Sequence, residues 1–151
     1  MKLNTDGAVA HHKHEGGATA VCRDHNSIYL GSSTMVFHIT GPVVLEAYAC
    51  RESMTLSEDL DIQSLLVSSD CQGIVNDINQ GTGGPHAAII HEIIARRSSF
   101  QSCSFIHERR NFNFEAHNLA KICCNLGLGR HVWLGMLHDL TSVSMDITLN
   151  L

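Results

Sequence analysis

No apolar run in these 151 residues approaches the roughly 18 consecutive apolar positions that a membrane-spanning helix needs. None of the six cysteines stands in CxxC spacing, so the paired-thiol signature of a zinc or redox site is missing. Basic residues are scarce. Ten Lys and Arg against fifteen Asp and Glu leave a net charge of −5 with His neutral, and the clustered cations sit at Arg96-Arg97 and Arg109-Arg110. That balance argues against a broad basic face holding nucleic acid through its phosphates, although a divalent cation bound among carboxylates reverses the local field. There is no internal repeat and no low-complexity segment. The glycine-rich run Gly81-Thr82-Gly83-Gly84-Pro85 lacks the Lys-Ser/Thr ending of a phosphate-binding loop and reads as a linker.

What is present describes a globular chain. Apolar content of 44% and charged content of 17% exclude a disordered segment, and the length suits one domain with a real core. Cys22, Cys50, Cys71, Cys103, Cys123 and Cys124 lie mostly in or beside apolar segments, and no signal-peptide-like stretch opens the sequence. Reduced core thiols in an intracellular protein, nuclear or cytoplasmic, are therefore expected. Strand-like sequence begins by Leu3, an abrupt start expected of a piece of a longer polypeptide. The eleven His add positive charge only below about pH 6.5. His11, His12 and His14 have the look of a metal cluster, but loop histidines without a Cys or carboxylate partner read as solvated.

Along the chain, residues 3–10 read as a strand, 11–17 as a polar loop, 18–23 as a second strand and 28–37 as a third. Asp24-His25-Asn26-Ser27 makes a tight turn between the last two, giving an antiparallel meander. Thr40-Gly41-Pro42 then supplies a helix start with proline at its first position. Val43, Ala47, Cys50 and Met54 recur at three- and four-residue spacing up to the close at residues 60–62. A short buried strand over 64–69, helical sequence over 71–78 and an isoleucine stripe at Ile89, Ile90, Ile93 and Ile94 follow. A strand over 102–108 and a last helix over 113–126 complete the regular part. No structure is assigned from Gly127 onward, and Trp133 is expected to plug a layer. The order βββ-α-β-α-α-β-α demands right-handed crossovers and a partly parallel sheet, an α/β (α+β mixed) architecture.

Three acidic residues stand at telling places in this order. Asp6 lies in the first strand, Glu46 opens the amphipathic helix and Asp70 ends the fourth strand. Singly, each has a plain alternative: a cap, a solvent-facing helix residue, a strand-end turn. Together they can converge only after folding, and carboxylates brought together repel unless a cation lies between them. Mg²⁺ is the usual occupant of such an oxygen set, and metal-assisted phosphodiester hydrolysis is the chemistry it supports.

The pieces Lys2-Leu3-Asn4-Thr5-Asp6-Gly7-Ala8, Gly16-Gly17 with Val21-Cys22-Arg23-Asp24, Leu45-Glu46-Ala47 and Ser69-Asp70 occur in that order. They are followed by Asn113-Phe114-Glu115-Ala116-His117-Asn118-Leu119-Ala120 and Trp133-Leu134-Gly135. This series resembles the ribonuclease H fold, and more narrowly the reverse-transcriptase-associated ribonuclease H-like domains abundant in plant genomes and derived from retroelements. The resemblance spans residues 2 to about 135, leaving 136–151 as an irregular C-terminal tail. It implies a five-stranded sheet in the order 3-2-1-4-5 flanked by helices. It implies, too, two Mg²⁺ ions (Mn²⁺ as the alternative) held by Asp6, Glu46 and Asp70, and endonucleolytic cleavage of the RNA strand of RNA–DNA hybrids. The expected partner is nucleic acid, with no membrane and a monomeric chain. His117 falls where the family usually has a fourth carboxylate, giving it an assisting place in catalysis and a preference for Mn²⁺ or Zn²⁺ over Mg²⁺. The link from 107 to 112 is short, and His107 is no clear match to the histidine of longer loops in active relatives. Arg96, Arg97, Arg109 and Arg110 are the remaining candidates for nucleic-acid contact. A different reading keeps the fold without the chemistry: an inactive retroelement relic serving as a nucleic-acid or protein-binding module.

Overall fold

The computed structural model describes residues 1–82, 84–122 and 125–135. Cys123, Cys124, Gly83 and the expected tail at 136–151 lie outside the described residues. The elements run β1 (Lys2–Ala10), β2 (Glu15–Arg23), β3 (Tyr29–Phe37), α1 (Pro42–Asp59), β4 (Ser64–Ser69) and α2 (Gln72–Gln80). Then come α3 (Ala87–Arg97), β5 (Ser102–His107), α4 (Phe114–Ile122) and β6 (Gly129–Leu134). Short 3₁₀ turns cover His11–Lys13, Gly84–His86 and Arg110–Phe112.

One mixed sheet orders its strands β5-β4-β1-β2-β3-β6. β1, β2 and β3 form the expected antiparallel meander, while β4 runs parallel to both β1 and β5. The first five strands of the chain therefore keep the expected 3-2-1-4-5 order. The expectation of five strands is corrected to six, because Gly129–Leu134 pairs antiparallel with β3 from Gly31–Leu134 to Val36–Gly129. Arg130 locks this strand to α1, donating to Glu52 Oε1 at 2.6 Å and to Asp59. Trp133 packs as expected, against the cluster under α4.

Alternation along the strands builds two cores. Ala20 and Cys22 of β2 join Leu3, Val67 and Phe105 beneath α1, α2 and α3. Val21, on the other face, meets Tyr29, Val36, Ala116 and Leu119 beneath α4. α1 sits very close to the sheet. A Cβ on Gly7 would lie 2.9 Å from Leu45 Cβ, and one on Gly16 only 2.3 Å from Ile39 O. Cys22, Cys50 and Cys103 are buried free thiols, and Cys71 is half-buried and free. No helix among the described residues is long and apolar enough to cross a membrane.

Candidate metal centre

β1 and β4 are neighbours whose chain connections lead opposite ways, β1 toward β2 and β4 onward to β5. In open α/β sheets such a switch point opens a crevice beyond the carboxyl ends of the strands. The parallel register sets Asn4 beside Ser68; carried forward, it brings Asp6 level with Asp70. α1 begins at Pro42, which presets the first helical turn, and Glu46 comes down one turn later over Gly7. The Gly7 amide donates to Glu46 Oε1 at 3.2 Å. The missing side chain at Gly7 is thus what lets the helix carboxylate reach the strand.

One carboxylate oxygen from each of Asp6, Glu46 and Asp70 lies within 4.8 Å of the others. They line an open cleft of about 380 Å³ together with Gly7, Cys71 and Arg110. A larger apolar hollow of about 640 Å³, walled by Met1, Leu30, Leu60 and Ile62, lies where β4 begins and holds none of the three.

The electrostatics of the trio follow from burial and like charge. Burial, then the neighbouring Asp6, then a carboxyl hydrogen bond to Asp6, push the Glu46 carboxyl up to about 9, with Asp70 adding to the rise. Burial and Asp6 likewise raise Asp70, while Arg110 and His117 pull it back down. Glu46 Oε2 is buried and receives no donor. A close set of hard oxygen ligands, one of them buried without a donor, fits a divalent cation that prefers oxygen.

α4 closes the other side. Asn113, 1% exposed, donates from its side chain to Thr5 O and so pins the start of α4 to β1. One turn on, His117 Nδ1 stands 2.8 Å from Asp6 Oδ2. The ring is therefore beside the trio, bonded to one of its members. Arg110, on the 3₁₀ turn before α4, reaches back: its Nη2 is 3.0 Å from His117 Nδ1, and its Nε is 4.0 Å from Asp70 Oδ2.

Other candidates lie elsewhere. Arg96 pairs with Glu58 and Thr55 near the end of α1, and Arg97 donates to Cys103 O at the start of β5. Both are at the far end of the parallel strands from Asp70, committed to contacts within the protein. Arg109 precedes the turn that carries Arg110, and only Arg110 of that pair lines the cleft. His11, His12 and His14 join no group of potential metal ligands among the described residues. Sequence reasoning overlooked Asn113 as a positioning residue. Its signal was the four-residue step to His117, which puts both on one side of a helix.

Comparison with known proteins places the fold. A family profile described as reverse transcriptase-like matches residues 4–123. Ribonuclease H1 of the halophilic archaeon Halobacterium salinarum superposes with a TM-score of 0.71 at 15% identity, covering 83% of this chain and 98% of its own. The N-terminal ribonuclease H domain of a Mycobacterium tuberculosis protein gives 0.73 at 17%, covering 82% and 92%. A compost-derived metagenomic ribonuclease H1, solved in complex with RNA/DNA hybrid, gives 0.64 at 21%, covering 80% and 93%. No curated relative matches the chain.

Proposed function

This chain belongs to the reverse transcriptase-like family, with a ribonuclease H-like domain, and on that premise we propose that it is a metal-dependent endonuclease cleaving the RNA strand of RNA–DNA hybrids. The observation that carries the reading is the convergence of Asp6, Glu46 and Asp70 within 4.8 Å from three separate elements. The hybrid held by the metagenomic neighbour supports the substrate class. The family description supports descent from a retroelement.

Asp6, Glu46 and Asp70 would hold the cation, Mg²⁺ in this reading and Mn²⁺ as its substitute. When bound, it supplies Lewis acidity to the phosphodiester and lowers the pKa of the attacking water. Gly7 lets α1 close on β1, since a Cβ there would lie 2.9 Å from Leu45 Cβ, and so keeps Glu46 within reach of Asp6 and Asp70. His117 holds Asp6 in orientation through Nδ1. Asn113 fixes the helix that carries His117. Water adds to phosphorus as the bond to the 3′ oxygen breaks, leaving a 5′-phosphate and a 3′-hydroxyl.

One observation favours a second reading, the inactive binding module. The trio already has internal partners, His117 on Asp6 and Arg110 facing Asp70. Cleavage of a labelled RNA–DNA hybrid with Mg²⁺ and, separately, with Mn²⁺ decides between them. The endonuclease reading expects cleavage that falls at least about a hundredfold in Asp70→Asn. No cleavage with either metal by folded protein would leave the binding module.

A further inference from the structure

We propose that Arg110 is the resident counter-cation of this cleft, competing with the divalent metal for the field of Asp6 and Asp70 and passing to the substrate phosphodiester once the metal is bound. The inference rests on the reading of Asp6, Glu46 and Asp70 as a metal site.

The guanidinium lies against the carboxylates without being locked to them. Nη2 is 3.0 Å from His117 Nδ1 and 3.4 Å from Nε2, and Nε is 4.0 Å from Asp70 Oδ2. These contacts cannot all be hydrogen bonds at once. If His117 Nδ1 donates to Asp6 Oδ2, 2.8 Å away, that nitrogen has no lone pair for Arg110, and Nε2 at the longer distance must accept instead. If Nδ1 accepts from Arg110, its bond to the Asp6 carboxylate is lost. The 4.0 Å approach to Asp70 is an ion pair and not a formed hydrogen bond. Each contact is thus partial, which is what an exchangeable cation requires.

The mounting suits a swing. The Arg110 side chain is 66% exposed, so little packing restrains it. Its backbone is anchored, because the Asn113 amide donates to Arg110 O at 2.9 Å and the Asn113 side chain is tied to β1. The stem can therefore move while its root stays at the rim. Charge supplies the drive. A divalent ion among the carboxylates removes the attraction that draws Arg110 in and adds repulsion. A phosphodiester entering the cleft offers instead the planar pair of acceptors that a guanidinium fits bidentately.

The test is a calorimetric titration with MnCl₂ alone on the unaltered protein, Arg110→Ala, Arg110→Lys and Asp70→Asn, beside KM and kcat for a labelled hybrid. Arg110→Ala is expected to bind Mn²⁺ about three- to tenfold more tightly, yet to raise KM for the hybrid about tenfold with a smaller change in kcat. Arg110→Lys, which keeps the charge and loses the fork, should bind Mn²⁺ nearly as the unaltered protein does while KM still rises. Opposite signs for metal and hybrid are the diagnostic result. Mn²⁺ binding that is unchanged or weaker in a folded Arg110→Ala overturns the competition, and an unchanged KM overturns the transfer to substrate. Mn²⁺ binding absent from the unaltered protein, or indifferent to Asp70→Asn, would instead sink the metal site on which the inference rests.

Discussion

A carboxyl group that accepts one amide bond through Oε1 and buries Oε2 without a donor is poorly served as an anion, and Glu46 is in that position. Its raised value, from 4.5 to about 9, has a definite consequence for the metal-free protein. Between those two values the folded chain holds a proton that the unfolded chain has released. Stability must therefore fall as pH rises through this window and level off above about 9. Glu46→Gln removes the Glu46 share of this dependence, while the raised Asp70 keeps its own. Its melting temperature in EDTA is expected to exceed that of the unaltered protein by roughly 3 °C or more at pH 8 and to converge with it near pH 5. Thermal melts across that range check this, and a variant as pH-dependent as its parent would contradict it. Added Mn²⁺ should act in the opposite sense, stabilising more at higher pH, because the ligand must shed its proton first. At this scale the sequence was informative about identity alone: Asp6, Glu46 and Asp70 stand out by their positions, whereas the Arg110–His117–Asp6 contacts depend on the turn at Arg110–Phe112 folding back over the sheet.

Between elements, the decisive fit is α1 against β1. With only 2.9 Å between a Cβ on Gly7 and Leu45 Cβ, and 3.1 Å to the Leu45 backbone, the helix has no slack. Gly7→Ala is expected to lift the first turns of α1, costing about 1–3 kcal/mol of stability and drawing Glu46 away from the other two carboxylates. Urea unfolding and Mn²⁺ titration of the same variant should both register it. Lost metal affinity with unchanged stability would show instead that the methyl group merely fills the cleft. Most element boundaries were legible, because periods of 2 and 3.6 are local properties of the chain. Where they failed, pairing overrode propensity. β2 starts at Glu15 and not at residue 18, since register with Ala10 carries Gly16 and Gly17 into the sheet despite their weak strand preference. β6 escaped notice for a similar reason: glycine-flanked and without alternation, Gly129–Leu134 becomes a strand because β3 offers it an open edge.

The whole molecule carries a net charge of −5, and most of its described arginines are spent internally. Arg23 pairs with Glu115, Arg51 with Glu92, Arg96 with Glu58, and Arg130 with Glu52 and Asp59. Few cations remain to displace counterions from a duplex. Binding of a labelled hybrid, followed by fluorescence anisotropy between about 50 and 200 mM salt, is therefore expected to show a shallow dependence, a log–log slope of roughly −1 to −3. A slope near −6 or steeper would reveal a phosphate-binding face not built from these residues. Sequence alone determined the order of the elements, the apolar faces that select one side of each, and the presence of three acids in the right kinds of element. Those properties depend on neighbours a few positions apart. Tertiary structure alone decided that the acids meet, that Arg110 and His117 stand against them while Arg96 and Arg97 do not, and that a sixth strand completes the sheet. Residues as far apart as Asp6 and His117 are brought together by strand register and helix packing, which no local pattern specifies.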